Sequence, residues 1–227
     1  MKKIIILSLL IFFVSSMTLS AQEDAILKGL KIKGGFPFYV YTDSFNRLNH
    51  YIPSGWMGDY GDIKYNDRWN QNPMSGKTCI QIKYTAERKQ GAGWSGVYWQ
   101  NPANNWGTSK GGYDLTGAKK LFFNARGEKG DELVEFKVGG ITGQYSDTAG
   151  GTTGPVELSK EWKMFEIDLT DMDMSFINGG FCVVFSGDAN PDGCTFYIDE
   201  IYYTDKTTPL KDDKSSKKDD KSSKGKK

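Results

Sequence analysis

The chain has 227 residues, 14% of them aromatic, with 29 Lys and Arg against 28 Asp and Glu. That balance hides an acidic body: residues 22–210 carry 19 basic and 24 acidic side chains, net −5, which repels a phosphate backbone and sets nucleic acid aside as a partner. His50 is the single histidine, so a His-based metal cluster is excluded and a Ser-His-Asp arrangement has only that ring to use.

In chain order, Lys2 and Lys3 precede an apolar run from Ile4 to Val14, and Ser15 to Ala21 is small and polar. This is the pattern of a cleaved signal peptide over residues 1–21, since a membrane-spanning helix needs about 20 apolar residues. The expectation is an exported protein, extracellular or periplasmic, starting near Gln22 and without membrane insertion after cleavage. No Cys precedes Cys79, so this junction offers no thiol for lipid attachment.

Residues 22–210 read as one all-β domain. Strand signals fall at Phe36–Tyr41, Thr78–Thr85, Trp94–Gln100, Lys119–Arg126, Leu133–Val138, Trp162–Leu169, Gly180–Phe185 and Thr195–Thr204. Period-2 alternation is plain in two of them: Ile80, Ile82 and Tyr84 share one face, as do Val134, Phe136 and Val138. Short strands joined by Gly, Asn and Asp predict a two-sheet β-sandwich of jelly-roll type. In the last strand Phe196 and Ile198 want the core, but strict alternation would send Ile201 outward. A bulge at Asp199–Glu200 restores Ile201 and Tyr203 to the inside and re-aims a carboxylate. Residues 211–227 repeat Lys-Asp-Asp-Lys-Ser-Ser-Lys and hold no apolar side chain, which predicts a disordered tail.

Cys79, Cys182 and Cys194 are too few, and odd in number, for a disulfide framework. If Cys182 and Cys194 lie on one hairpin turning near Asn190, they sit roughly 13 Å apart at strand rise, beyond disulfide reach. Three free, buried thiols are expected.

Enzyme signatures are sparse. Gly93-Trp94-Ser95-Gly96 lacks the spacing of a nucleophile elbow. The glycine-rich stretches near Gly139 and Gly150 precede no helix and read as turns rather than phosphate cradles. Glu135, Glu157, Glu161, Glu166 and Asp168 read as a charged outer surface. Asp188-Ala-Asn190-Pro-Asp192-Gly193 has the opening of a calcium loop, but no helices flank it, so it reads first as a polar turn.

The aromatic residues carry more. Trp94 and Tyr98 fall on one face of their strand, Val97 and Trp99 on the other. Trp99-Gln-Asn-Pro-Ala-Asn-Asn-Trp106 sets two indoles at the ends of an amide-rich loop without core spacing. Sugars stack their C–H faces on exposed rings and bond their hydroxyls to amides and acids. Trp94, Tyr98, Trp99 and Trp106, with Trp56 and Asn104, are therefore the candidate ligand-binding residues.

Thr195-Phe-Tyr-Ile-Asp199-Glu-Ile201 resembles the last strand of jelly-roll carbohydrate-binding modules of the galactose-binding-like superfamily, and Phe38-Tyr-Val-Tyr-Thr-Asp43 resembles their opening strand. Gly76 to Lys83 and Gly93 to Trp99 are similar to the second and third strands, and Gly117 to Arg126 to the strand before the crossover. The resemblance implies a sheet that grips a glycan chain and a structural Ca²⁺ held by Asp43 and Asp199. The function expected is non-catalytic binding of polysaccharide or cell-surface glycan. Two alternatives stand beside it: a small jelly-roll polysaccharide lyase or glycoside hydrolase, and a structural or adhesive envelope protein.

Overall fold

The computed structural model describes residues 33–210, so the signal-peptide and tail expectations lie outside the described residues. Among these residues are eleven strands and one 3₁₀ turn, Tyr60–Asp62. The strands are β1 Phe38–Tyr41, β2 Ile52–Gly58, β3 Ile63–Trp69, β4 Cys79–Tyr84, β5 Trp94–Gln100, β6 Lys120–Gly127, β7 Leu133–Gly139, β8 Gly150–Glu157, β9 Lys163–Asp168, β10 Gly179–Ser186 and β11 Cys194–Thr204. They form two antiparallel sheets. One runs β3-β4-β11-β6-β9 with β1 also on β11, the other β2-β5-β10-β7-β8.

The alternation read from the sequence decides which face of each strand is inside. Ile80, Ile82, Tyr84, Val134, Phe136 and Val138 point into the sandwich, where they meet Trp99, Phe123, Phe181 and Phe196. The rings pack at offset or edge-on angles, as the aromatic quadrupole favours; Phe123 and Phe136 lie 4.5 Å apart at 53°. His50 belongs to this structure too: it stacks on Phe38 at 4.0 Å and its Nδ1 faces the Tyr39 carbonyl at 2.9 Å.

The bulge in β11 is present. The register on β6 slips between Asp199 and Tyr202, Glu200 takes a positive φ of 49°, and Ile201 and Tyr203 are fully buried. Two expectations need correction. β10 and β11 lie in different sheets and make no hairpin: Cys182 pairs with Tyr98 and Lys137, Cys194 with Tyr84. The three cysteines are nonetheless free and buried. The Gly150 stretch is also no turn, because Gly150 and Gly151 open β8 opposite Gly139 and Val138.

Candidate functional site

The outward face of the five-stranded sheet is built in rows across the strands. One row runs Gly55, Tyr98, Cys182, Lys137, Thr152; the next runs Met57, Gly96, Val184, Glu135, Pro155. Trp94 begins a third row beside Ser186. Trp94 and Tyr98 thus rise from one strand about 13 Å apart at strand rise, with the bare Gly96 between them. A Cβ on Gly96 would lie 2.7 Å from the Met57 methyl, so glycine there lets that methyl close over the strand and floor the space between the rings.

Each ring is held from beneath. The Asp59 N–H donates to the Trp94 carbonyl at 2.7 Å, and Gly58, at φ 60°, sits so close that a Cβ would fall 2.1 Å from that oxygen. Burial acts to raise the Asp59 carboxyl, but the N–H groups of Ala92, Gly93 and Gln90 hold it below its ordinary range. That carboxylate fixes the turn leading into Trp94. The Tyr98 hydroxyl donates to the Gly139 carbonyl at 2.7 Å, and its ring meets Trp106 edge-on at 5.9 Å. Trp94 and Trp106 remain 39% and 40% exposed.

Polar groups line the other side. Glu135 accepts from Thr152 at 2.6 Å and pairs with Lys137 at 3.0 Å. Partial burial works to raise the Glu135 carboxyl, but the Thr152 hydroxyl and the Lys137 ammonium outweigh it and keep the group ionised. An ionised carboxylate accepts from sugar hydroxyls; it has no proton to give a leaving group.

The structure separates the expected ligand-binding residues. Trp94, Tyr98 and Trp106 come together on the outward face. Trp99 does not: it is 1% exposed and packs on Phe181 and Tyr65, so it is a core ring and no platform. Trp56 also points to the inner side of β2, opposite Val97, where it closes the sandwich edge against Tyr65. Asn104 is exposed at φ 59°, with its N–H on Ser54. The amides of the loop have a folding reason after all. Asn105, 1% exposed, bonds Ser109, Asn178 and Gln100, while Asn101 reaches His50 and Tyr113. Met57, Lys137 and Thr152 are the additions the sequence did not single out, and Glu135, read there as part of a charged outer surface, joins them.

Asp43 and Asp199 both grip the segment from residue 74 to 78, but as hydrogen-bond acceptors. Asp43 Oδ1 accepts from the N–H groups of Lys77 and Thr78 and from the Thr78 hydroxyl. Asp199 Oδ2 accepts from Met74 and Ser75, and its Oδ1 from Glu200. Both carboxyl groups thus have backbone N–H donors on their oxygens, whereas a Ca²⁺ site needs converging oxygens. Among the described residues no group of three or more His, Cys, Asp or Glu is gathered for a metal. The Asp188 loop fits no better: Asn190 turns its oxygen to the Leu133 N–H, and Asp188 pairs with Arg88 at 2.8 Å.

No family model and no curated protein matches the chain. Solved structures do. The chain is similar to a family 30 carbohydrate-binding module at 14% identity, with 78% of this chain and 91% of the other covered and a TM-score of 0.52. It is similar as well to the family 30 module of a cellulosomal cellulase of Clostridium thermocellum, at 17% identity, 77% and 100% coverage and a TM-score of 0.51. The fold is therefore that of the jelly-roll carbohydrate-binding modules.

Proposed function

We propose that this protein is an exported, non-catalytic module that binds a polysaccharide chain along the outward face of its five-stranded sheet. The carrying observation is the Trp94–Gly96–Tyr98 trough: two rings on one face of β5 with a glycine floor under the Met57 methyl between them, extended by Trp106 and edged by the Glu135–Lys137–Thr152 network. Stacking surface and hydroxyl partners on one open face are what a sugar chain requires, and the fold shared with carbohydrate-binding modules supports the reading. The hydrolase and lyase readings are disfavoured by chemistry. Glu135 at the edge of the trough is ionised and pinned, and Asp147 near Tyr98 is engaged by the N–H groups of Ile141, Asn178 and Gly179. His50 is half-buried against Phe38 with its ring nitrogen on the Tyr39 carbonyl. Export rests on the N-terminal sequence pattern. Among the described residues no helix is long and apolar enough to cross a membrane.

The test is a titration of the protein against a panel of soluble polysaccharides by calorimetry, with reducing-end release followed in the same tubes. Binding without release is expected. Release of reducing ends, or no binding to any glycan, would overturn the proposal.

A further inference from the structure

A second site lies at the turn between β1 and β2, in a cleft of about 380 Å³ lined by Asp43, Ser44, Phe45, Arg68, Lys77 and Thr78 among others. Its volume is that of a small-ligand pocket. Three of its features mark it out. Phe45 is 77% exposed at a φ of 60°, a backbone state that bulky side chains avoid unless the surroundings impose it. The Arg68 guanidinium lies 4.3 Å from the centre of that ring. The Ser44 hydroxyl is buried without a partner, whereas neighbouring Thr78 has Asp43, Tyr41 and the Ser44 N–H.

The charges are arranged for an anion. Arg68 has only a long, exposed pair with Asp67 at 3.9 Å, which competes weakly for it. Lys77 adds a second cation. The wall's single carboxylate, Asp43, faces the backbone of the 76–78 segment, which supplies two N–H donors to it. A guanidinium fork and a lysine on the lining of one cleft suit a carboxylate or a sulfate, and the Phe45 ring gives the attached sugar an apolar wall.

We propose that the cleft between Phe45, Arg68 and Lys77 is a subsite for an acidic sugar unit, a uronate or a sulfate ester, apart from the Trp94–Tyr98 trough. The subsite rests on the glycan-binding reading but uses none of the trough residues. It is tested with the full chain against polygalacturonate and dextran sulfate, alongside their neutral counterparts, carboxyl-reduced polygalacturonate and dextran. Phe45→Ala and Arg68→Ala/Lys77→Ala should each weaken binding to one or both acidic polymers by about tenfold. Lys64→Ala/Lys83→Ala, which removes the same charge from exposed positions of β3 and β4, should change it by less than about twofold. Response to polygalacturonate alone assigns a uronate, and response to dextran sulfate alone a sulfate ester. The proposal is overturned if wild type binds neither acidic polymer, if Phe45→Ala binds them unchanged, or if the control variant loses as much. Trp94→Ala in the neutral arms reports on the trough alone, so the two readings fail separately.

Discussion

At the scale of single residues, the two tryptophans of β5 have opposite duties set by strand parity. Trp94 faces out and Trp99 faces in, with 39% and 1% of their surfaces exposed. Trp94→Ala should therefore weaken glycan binding by about 2 kcal/mol or more while leaving the melting temperature nearly unchanged. Trp99→Ala should cost about 3–5 kcal/mol of stability; calorimetric melts run beside the binding titration distinguish the two. The parity itself was legible in the sequence, since Trp94 and Tyr98 alternate with Val97 and Trp99. Which parity is buried was not, because both sets carry a tryptophan. Asp199 makes a second residue-scale prediction. Burial, with a further push from the Glu200 charge, raises its carboxyl to about 8 against the pull of the Ser75, Glu200 and Met74 N–H groups. A carboxyl near 3.9 in the unfolded chain and higher in the folded one binds its proton more tightly when folded. Its contribution is complete below about pH 4 and is lost as the pH rises toward 8. The wild-type melting temperature should fall across that window more steeply than that of Asp199→Asn, and equal slopes would refute the assignment.

Among the elements, the strands that escaped sequence reading share a position. β2, β3 and β8 are all edge strands, β2 and β8 flanking one sheet and β3 ending the other. An edge strand tolerates Pro, Gly and polar residues, and in these three they break the apolar alternation, whereas edge strand β9 keeps Phe165 and Ile167 in phase and was read. β2 begins Ile-Pro-Ser-Gly and β8 reads Gly-Gly-Thr-Thr-Gly-Pro-Val-Glu. The interior strands β4 and β7 kept their period and were readable for the same physical reason. The β11 bulge was legible because Ile201 and Tyr203 could not reach the core otherwise. The 70–78 segment was not, since its anchors are long-range: Asp43, Asp199 and the Trp162 indole, which donates to the Asn72 carbonyl at 3.0 Å. With the two carboxylates clamping N–H groups, added Ca²⁺ or a chelator should leave the melting temperature where it is. A rise with Ca²⁺ that Asp199→Asn abolishes would instead restore the shared-ion arrangement, because an ion bound only by the native state must stabilise it.

Over the whole molecule, stability comes from two sheets closing on one aromatic core without covalent staples. Burial pushes the Cys79 and Cys194 thiols up to about 12 and the Cys182 thiol well above its ordinary range. A disulfide-exchange reagent should then label none of the three cysteines in the native protein and all three in denaturant. Rapid labelling without denaturant would show that a sheet opens. The closed core leaves the outward sheet face free for ligand, so the division of the six tryptophans is the whole-molecule signature of the glycan-binding reading. The direct measurement is the set of indole N–H resonances of ¹⁵N-labelled protein, assigned by substitution, as an oligosaccharide of the preferred glycan is added. Trp94 and Trp106 should shift with a common saturation curve, while Trp99, behind β5, and Trp162, on the other sheet's side, stay in place. Shifts at Trp162 or Trp69 with Trp94 and Trp106 unmoved would put the ligand elsewhere and contradict the trough.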